Sequence, residues 1–167
     1  MLDYGAKAQT VFDRNTDHLA NEGVSLFGYD VTSDMIDSKS SDMTANTALY
    51  GLEYQYSAVV YLSKTSLRHY YKITDETKFN AIKSGITFDG QNVEPVKRGD
   101  LIFFEKQDIS ASHLDTQYTL KIGNDEYKYS AMDYTKRLID SDNDKKFIEL
   151  GKATYRFNQA ANTYFGD

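Results

Sequence analysis

The chain has 167 residues, enough for one domain, and carries 19 Lys and Arg against 25 Asp and Glu for a net charge of −6. With no Lys/Arg cluster longer than two, it lacks the basic stripe that a phosphate backbone or an anionic membrane demands, so neither is an expected partner. Cys is absent, which excludes disulfides, thiolate nucleophiles and Cys–zinc sites together, and the longest apolar run, Ala58–Leu62, is too short for membrane insertion.

In chain order, Met1, Tyr4, Ala8 and Val11/Phe12 recur at helical spacing, which predicts an amphipathic N-terminal helical segment over 1–22, with a turn at Asp13–Asp17. Such an opening leaves no room for a signal peptide, so an export signal is expected outside this stretch. Ser33–Asn46, rich in Ser, Asp and Thr, reads as an irregular loop. A β-rich body follows over 47–130. From Tyr50 to Leu62 the even positions are Tyr50, Leu52, Tyr54, Tyr56, Ala58, Val60 and Leu62, which predicts a strand with its even face inward. The next strand, Leu67–Ile73, is expected to turn Leu67, His69, Tyr71 and Ile73 inward. Thr74–Lys83 reads as a short helix capped by Thr74. Ile86–Phe88 and Val93–Val96 form a hairpin around Asp89-Gly90, and Leu101–Glu105 is an apolar strand. Gln117–Ile122 and Glu126–Tyr129 pair across Gly123-Asn124-Asp125. The last segment, 131–166, is helical. It breaks at Asp140–Asp144 and then carries a seam at Phe147, Leu150, Thr154, Phe157, Ala161 and Tyr164. The expected fold is α+β: an antiparallel, sandwich-like sheet body with its N- and C-terminal helices packed together in a single module over 1–167.

The two ends repeat one phrase. Tyr4-Gly-Ala-Lys-Ala-Gln-Thr-Val-Phe12 aligns with Phe157-Asn-Gln-Ala-Ala-Asn-Thr-Tyr-Phe165 at an offset of 153 residues, matching Ala8 to Ala161, Thr10 to Thr163 and Phe12 to Phe165. This suggests one unit of a tandem array, with the first helix shared with a preceding repeat. The residues Tyr4, Gly5, Ala6, Ala8, Gln9, Phe12, Asn15, Thr16, Asp17, Leu19, Ala20 and Asn21, with Tyr155–Phe165 at the other end, resemble a recurrent pattern. That pattern belongs to modules of large secreted and cell-surface proteins of gut clostridia and ruminococci. The resemblance implies a Gram-positive, extracellular, multidomain setting beside neighbouring domains of the same chain, and it brings no catalytic residue with it.

Candidate chemistry is sparse. His18, His69 and His113 lie far apart in sequence, and His69 on an inward strand face reads as a core residue. His113 near Asp115 imitates a base and its orienter, but Ser110 and Ser112 sit in no nucleophile elbow. Asp140, Asp142 and Asp144 start like a calcium loop, yet Lys145 stands where the turn glycine belongs and Gly151 where the bidentate Glu belongs. A helix start complemented by acids is the preferred reading. A Lys–Asn or Lys–Asp amide staple, known from Gram-positive surface domains, has no residue pair here that selects it. No metal or other cofactor is expected, and no enzyme.

The sharpest feature is on the sheet. With the even face buried, Tyr61 points outward, as does Tyr70 on the next strand beside Arg68, with Glu53 on the same face. A flat aromatic pair with hydrogen-bonding neighbours suits sugar rings; the competing reading has both rings covered by the terminal helices. The expected function is a binding or adhesion module for a polysaccharide or surface protein, with a structural spacer repeat as the alternative.

Overall fold

The computed structural model describes residues 2–11, 30–61, 64–142 and 144–165. They divide into a helical unit (1–38, 111–115, 132–167) and a sheet unit (39–110, 116–131).

In the helical unit, α1 (Leu2–Val11) packs against α4 (Lys145–Phe165), with α3 (Ala131–Ile139) beside them. Tyr4 stacks on Phe157 with centroids 5.1 Å apart, and Lys7 approaches Glu149 at 4.0 Å, so the two helices run antiparallel. The rings that stack are the aromatic pair that opens the repeated phrase. Asp144 stands just before α4; its carboxylate accepts the Lys146 amide at 3.1 Å and its carbonyl accepts the Phe147 amide at 2.9 Å. Of the three spaced acids, this one caps the helix and complements its dipole. The expected seam is buried at Leu150, Thr154 and Ala161 and widened by Gly151, Ala153 and Asn158. Its ends are uncovered: Phe147 and Tyr164 are exposed. Gly151 lets α3 come close, since a Cβ there would meet Ile139 Cγ1 at 3.2 Å. Lys136 on α3 donates to the Ser33 and Ile36 carbonyls, which holds the 3-10 turn at Ser33–Met35.

The sheet unit contains β1 (Leu52–Tyr61), β2 (Thr65–Ile73), β3 (Thr87–Phe88), β4 (Gln91–Asn92), β5 (Val96–Arg98), β6 (Leu101–Lys106), β7 (Tyr118–Ile122) and β8 (Asp125–Tyr129). Two antiparallel four-stranded sheets form, ordered β1-β2-β6-β5 and β4-β3-β7-β8. Helix α2 (Glu76–Ile82) follows β2. The sheets face each other through Leu67, His69, Tyr71, Ile102 and Phe104 on one side and Phe88, Leu120, Ile122, Tyr127 and Tyr129 on the other, all buried. The His69 ring joins them, stacked on Phe88 at 5.3 Å and edge-on to Tyr129 at 5.4 Å. This is the expected α+β sandwich, with β2 in the predicted phase.

Three local features differ from the sequence reading. The cap of α2 is Asp75, not Thr74: Asp75 is extended (φ −146°) and its carboxylate accepts the Thr77 and Lys78 amides at 3.0 and 3.1 Å. The arm after Asp89-Gly90 begins at Gln91, because both turn residues have positive φ (54° and 76°) and close a two-residue turn. Pro95, with no N–H to give, separates that arm from β5. The third difference carries most weight for function. Strand β1 has a bulge between Tyr54 and Tyr56, so Tyr54 pairs with Tyr71 while Tyr56 pairs with Tyr70. The even face is inward only through Tyr54; beyond the extra residue Gln55, the inward positions are Ser57, Val59 and Tyr61.

Inside the sandwich, Ser57 Oγ lies 2.6 Å from His69 Nδ1 and 2.8 Å from the Tyr54 hydroxyl. His69 Nε2 has no hydrogen-bond partner among the described residues. Burial pushes the His69 imidazole down to a pKa of about 3, so the core holds it neutral. The unfolded chain, with an imidazole near 6.5, takes up that proton first as the pH falls. The His69 contribution is therefore complete above pH 6.5 and shrinks by about 1.4 kcal/mol per pH unit below it. We predict a stability loss of about 2 kcal/mol between pH 7 and pH 5 in urea denaturation. His69→Gln, which cannot titrate, should flatten that slope.

Candidate outer-face site

The bulge creates a row across the outer face of the first sheet, the side turned away from the second sheet. Tyr56 on β1, Tyr70 on β2, Phe103 on β6 and Val96 on β5 are direct neighbours in register. Tyr56 stacks on Tyr70 at 4.5 Å with the rings 20° from parallel, and Tyr70 leans on Phe103 at 5.1 Å. The two middle rings are buried, at 2% and 6% exposure, whereas both ends, Tyr56 and Val96, are 47% exposed. An open aromatic ring thus sits on a closed aromatic base.

Charged rungs flank the row. On one side Arg68 pairs in register with Glu105, and its Nε donates to Glu105 Oε1 at 2.7 Å. The Arg68 guanidinium lies over the Phe103 ring at 4.6 Å. The same carboxylate accepts Ser66 Oγ at 2.6 Å and Gln107 Nε2 at 2.7 Å. Burial opposes charge on Glu105, yet the bonds from Ser66, Gln107 and Arg68 outweigh it and hold the carboxyl below its ordinary range. Burial likewise opposes the Arg68 charge, and Glu105 with Tyr70 overcomes it, raising the guanidinium further. On the other side Glu53, Lys72, Leu101 and Arg98 form the next rung, and Arg98 Nη1 donates to the Tyr70 hydroxyl at 3.2 Å.

Of the residues expected at a site, Tyr70, Arg68 and Glu53 share this face and Tyr61 does not. Tyr61 pairs with Thr65, two places from the buried Val59–Leu67 pair, and so takes the inward side. The bulge is the physical reason. Tyr70 itself is a base ring, covered by Tyr56, and the sequence reading missed Tyr56 because unbroken alternation assigned it to the core. The only sequence sign of the bulge is a Tyr-Gln-Tyr-Ser run, in which polar and aromatic residues suit either face.

His69 is enclosed in the core. His113 Nδ1 lies 3.5 Å from the hydroxyl of its neighbour Ser112, and Asp115 Oδ2 accepts Asn162 Nδ2 at 3.1 Å. His18 lies outside the described residues. Among the described residues no group of three or more His, Asp or Glu is placed to hold a metal ion, and no helix is long and apolar enough to cross a membrane. What the outer face can do is present an exposed ring beside charged hydrogen-bonding groups.

The stacked row gives unequal stability costs. Tyr70→Ala removes a buried ring and should cost about 3–5 kcal/mol, whereas Tyr56→Ala loses a half-exposed partner and should cost about 1 kcal/mol. Urea denaturation of the two variants checks the difference.

Comparison of the chain with family models, curated proteins and solved structures finds no match.

Proposed function

We propose that this chain is a non-catalytic binding or adhesion module of a larger bacterial protein, secreted or surface-attached, and that its ligand is a glycan laid across the outer face of the first sheet. One observation carries the reading: Tyr56 is presented as an open ring, held flat by Tyr70, with Arg98, Lys72 and Glu53 one rung away. A sugar offers an apolar C–H face to such a ring and hydroxyls to the flanking charges. Because stacking already fixes the ring, little side-chain freedom is left to lose on binding. The resemblance of the chain ends to modules of secreted clostridial proteins supports the extracellular setting.

A structural spacer is the second reading. It is favoured by the uncovered end of α4, where Tyr164 and Phe165 are 80% and 74% exposed within the repeated phrase, as a joint to a neighbouring module would leave them.

Binding of the purified chain to plant and host glycans separates the two. The glycan reading predicts binding that Tyr56→Ala weakens at least tenfold and Tyr61→Ala leaves in place, with circular dichroism unchanged in both. No binding anywhere on the panel would favour the spacer.

A further inference from the structure

A cleft of about 370 Å³ opens where β6 leaves the first sheet beside the β3–β4 turn, lined by Gln91, Val93, Glu105, Lys106, Gln107 and Asp108. Its size lies at the small end of ligand pockets, enough for one or two sugar rings. Its charges are already balanced. Glu105 is bonded to Arg68, Lys106 lies 3.8 Å from Asp89 and over the Tyr118 ring, and Asp108 pairs with Lys64 at 2.7 Å. A charged ligand would have to displace one of these partners or go unpaired. A neutral, hydroxyl-rich ligand needs neither: the Gln91 and Gln107 amides offer both donor and acceptor atoms, and Val93 supplies an apolar wall.

The cleft also continues the outer face. Glu105 belongs to both, since one carboxylate oxygen holds Arg68 over the aromatic row and the other accepts Gln107 inside the cleft. Glu105 lies two strands across and one rung along from Tyr56, which places them about 12 Å apart by strand spacing and rise. We infer that the cleft receives a further sugar of the oligosaccharide whose other part stacks on Tyr56, so that the module reads a chain of neutral sugars rather than a single ring. This inference rests on the glycan reading of the outer face.

The test is calorimetric titration with gluco-, xylo- and chito-oligosaccharides of one to six units. Affinity for a binding series should rise at least tenfold between the monosaccharide and the tetrasaccharide. Gln91→Ala, and Val93→Trp to fill the cleft, should each reduce the hexasaccharide to the monosaccharide's affinity, with the amide signals of residues 105–108 shifting only for longer ligands. Equal affinity at every length, with shifts confined to the strands around Tyr56, would overturn the cleft and leave the outer face standing. Binding that the cleft variants abolish and Tyr56→Ala does not touch would overturn the shared ligand. Silence in all three series would overturn both readings.

Discussion

Strand β2 is hydrogen-bonded along both edges and buried on both faces, and covering it dictates the rest of the sheet unit. Its inward residues Leu67, His69 and Tyr71 need the second sheet, which supplies Phe88, Leu120 and Tyr129. Its outward residue Tyr70 has no second sheet above it, so neighbouring strands close over it with Tyr56, Phe103 and the two arginines. One extra residue in β1 makes both solutions available to the same strand pair. Ahead of Gln55, Tyr54 faces in and meets Tyr71; after it, Tyr56 faces out and meets Tyr70. Without the bulge, Tyr56 would enter the core and Tyr70 would lose its lid.

The same device separates the sealed core from the face proposed for recognition. The inner side is sealed around a neutral His69 and is worth roughly 1.5–3 kcal/mol for each large apolar side chain it encloses. The outer side keeps its base rings dry, leaves one ring open, and sets beside them the Arg68–Glu105 pair, whose mutual hydrogen bond, joined by those from Ser66 and Gln107, favours the charged form of both partners against burial. In the proposed function the rigid aromatic surface beside polar groups is what a ligand meets, whereas the enclosed imidazole belongs to the core.

Much of this architecture was legible in the sequence because local chemistry determined it. Asp89-Gly90 and the Gly123 turn mark their hairpins through positive φ, β2 turns Leu67, His69 and Tyr71 inward as expected, and the middle of the α4 seam, Leu150, Thr154 and Ala161, falls on its buried stripe. Gly123 is also pinned by the Tyr50 ring, which occupies the space a Cβ would need. The site was only half legible. Tyr70, Arg68 and Glu53 follow from strand phase, but Tyr56 and Tyr61 exchange sides at a bulge that depends on how β1 registers against β2. Tyrosine suits both a core and a surface, so the residues around Gln55 give no local penalty that would betray a slip.

The central claim is that Tyr56 is the open ring on which a ligand settles. Photochemically induced nuclear polarisation of tyrosine, which lights only rings accessible to a dissolved dye, tests it directly when recorded with and without a bound oligosaccharide. A Tyr56 signal in the free protein that the ligand quenches, with Tyr70 dark throughout, is the predicted result. A dark Tyr56, or one that stays bright while the oligosaccharide is bound, would contradict it.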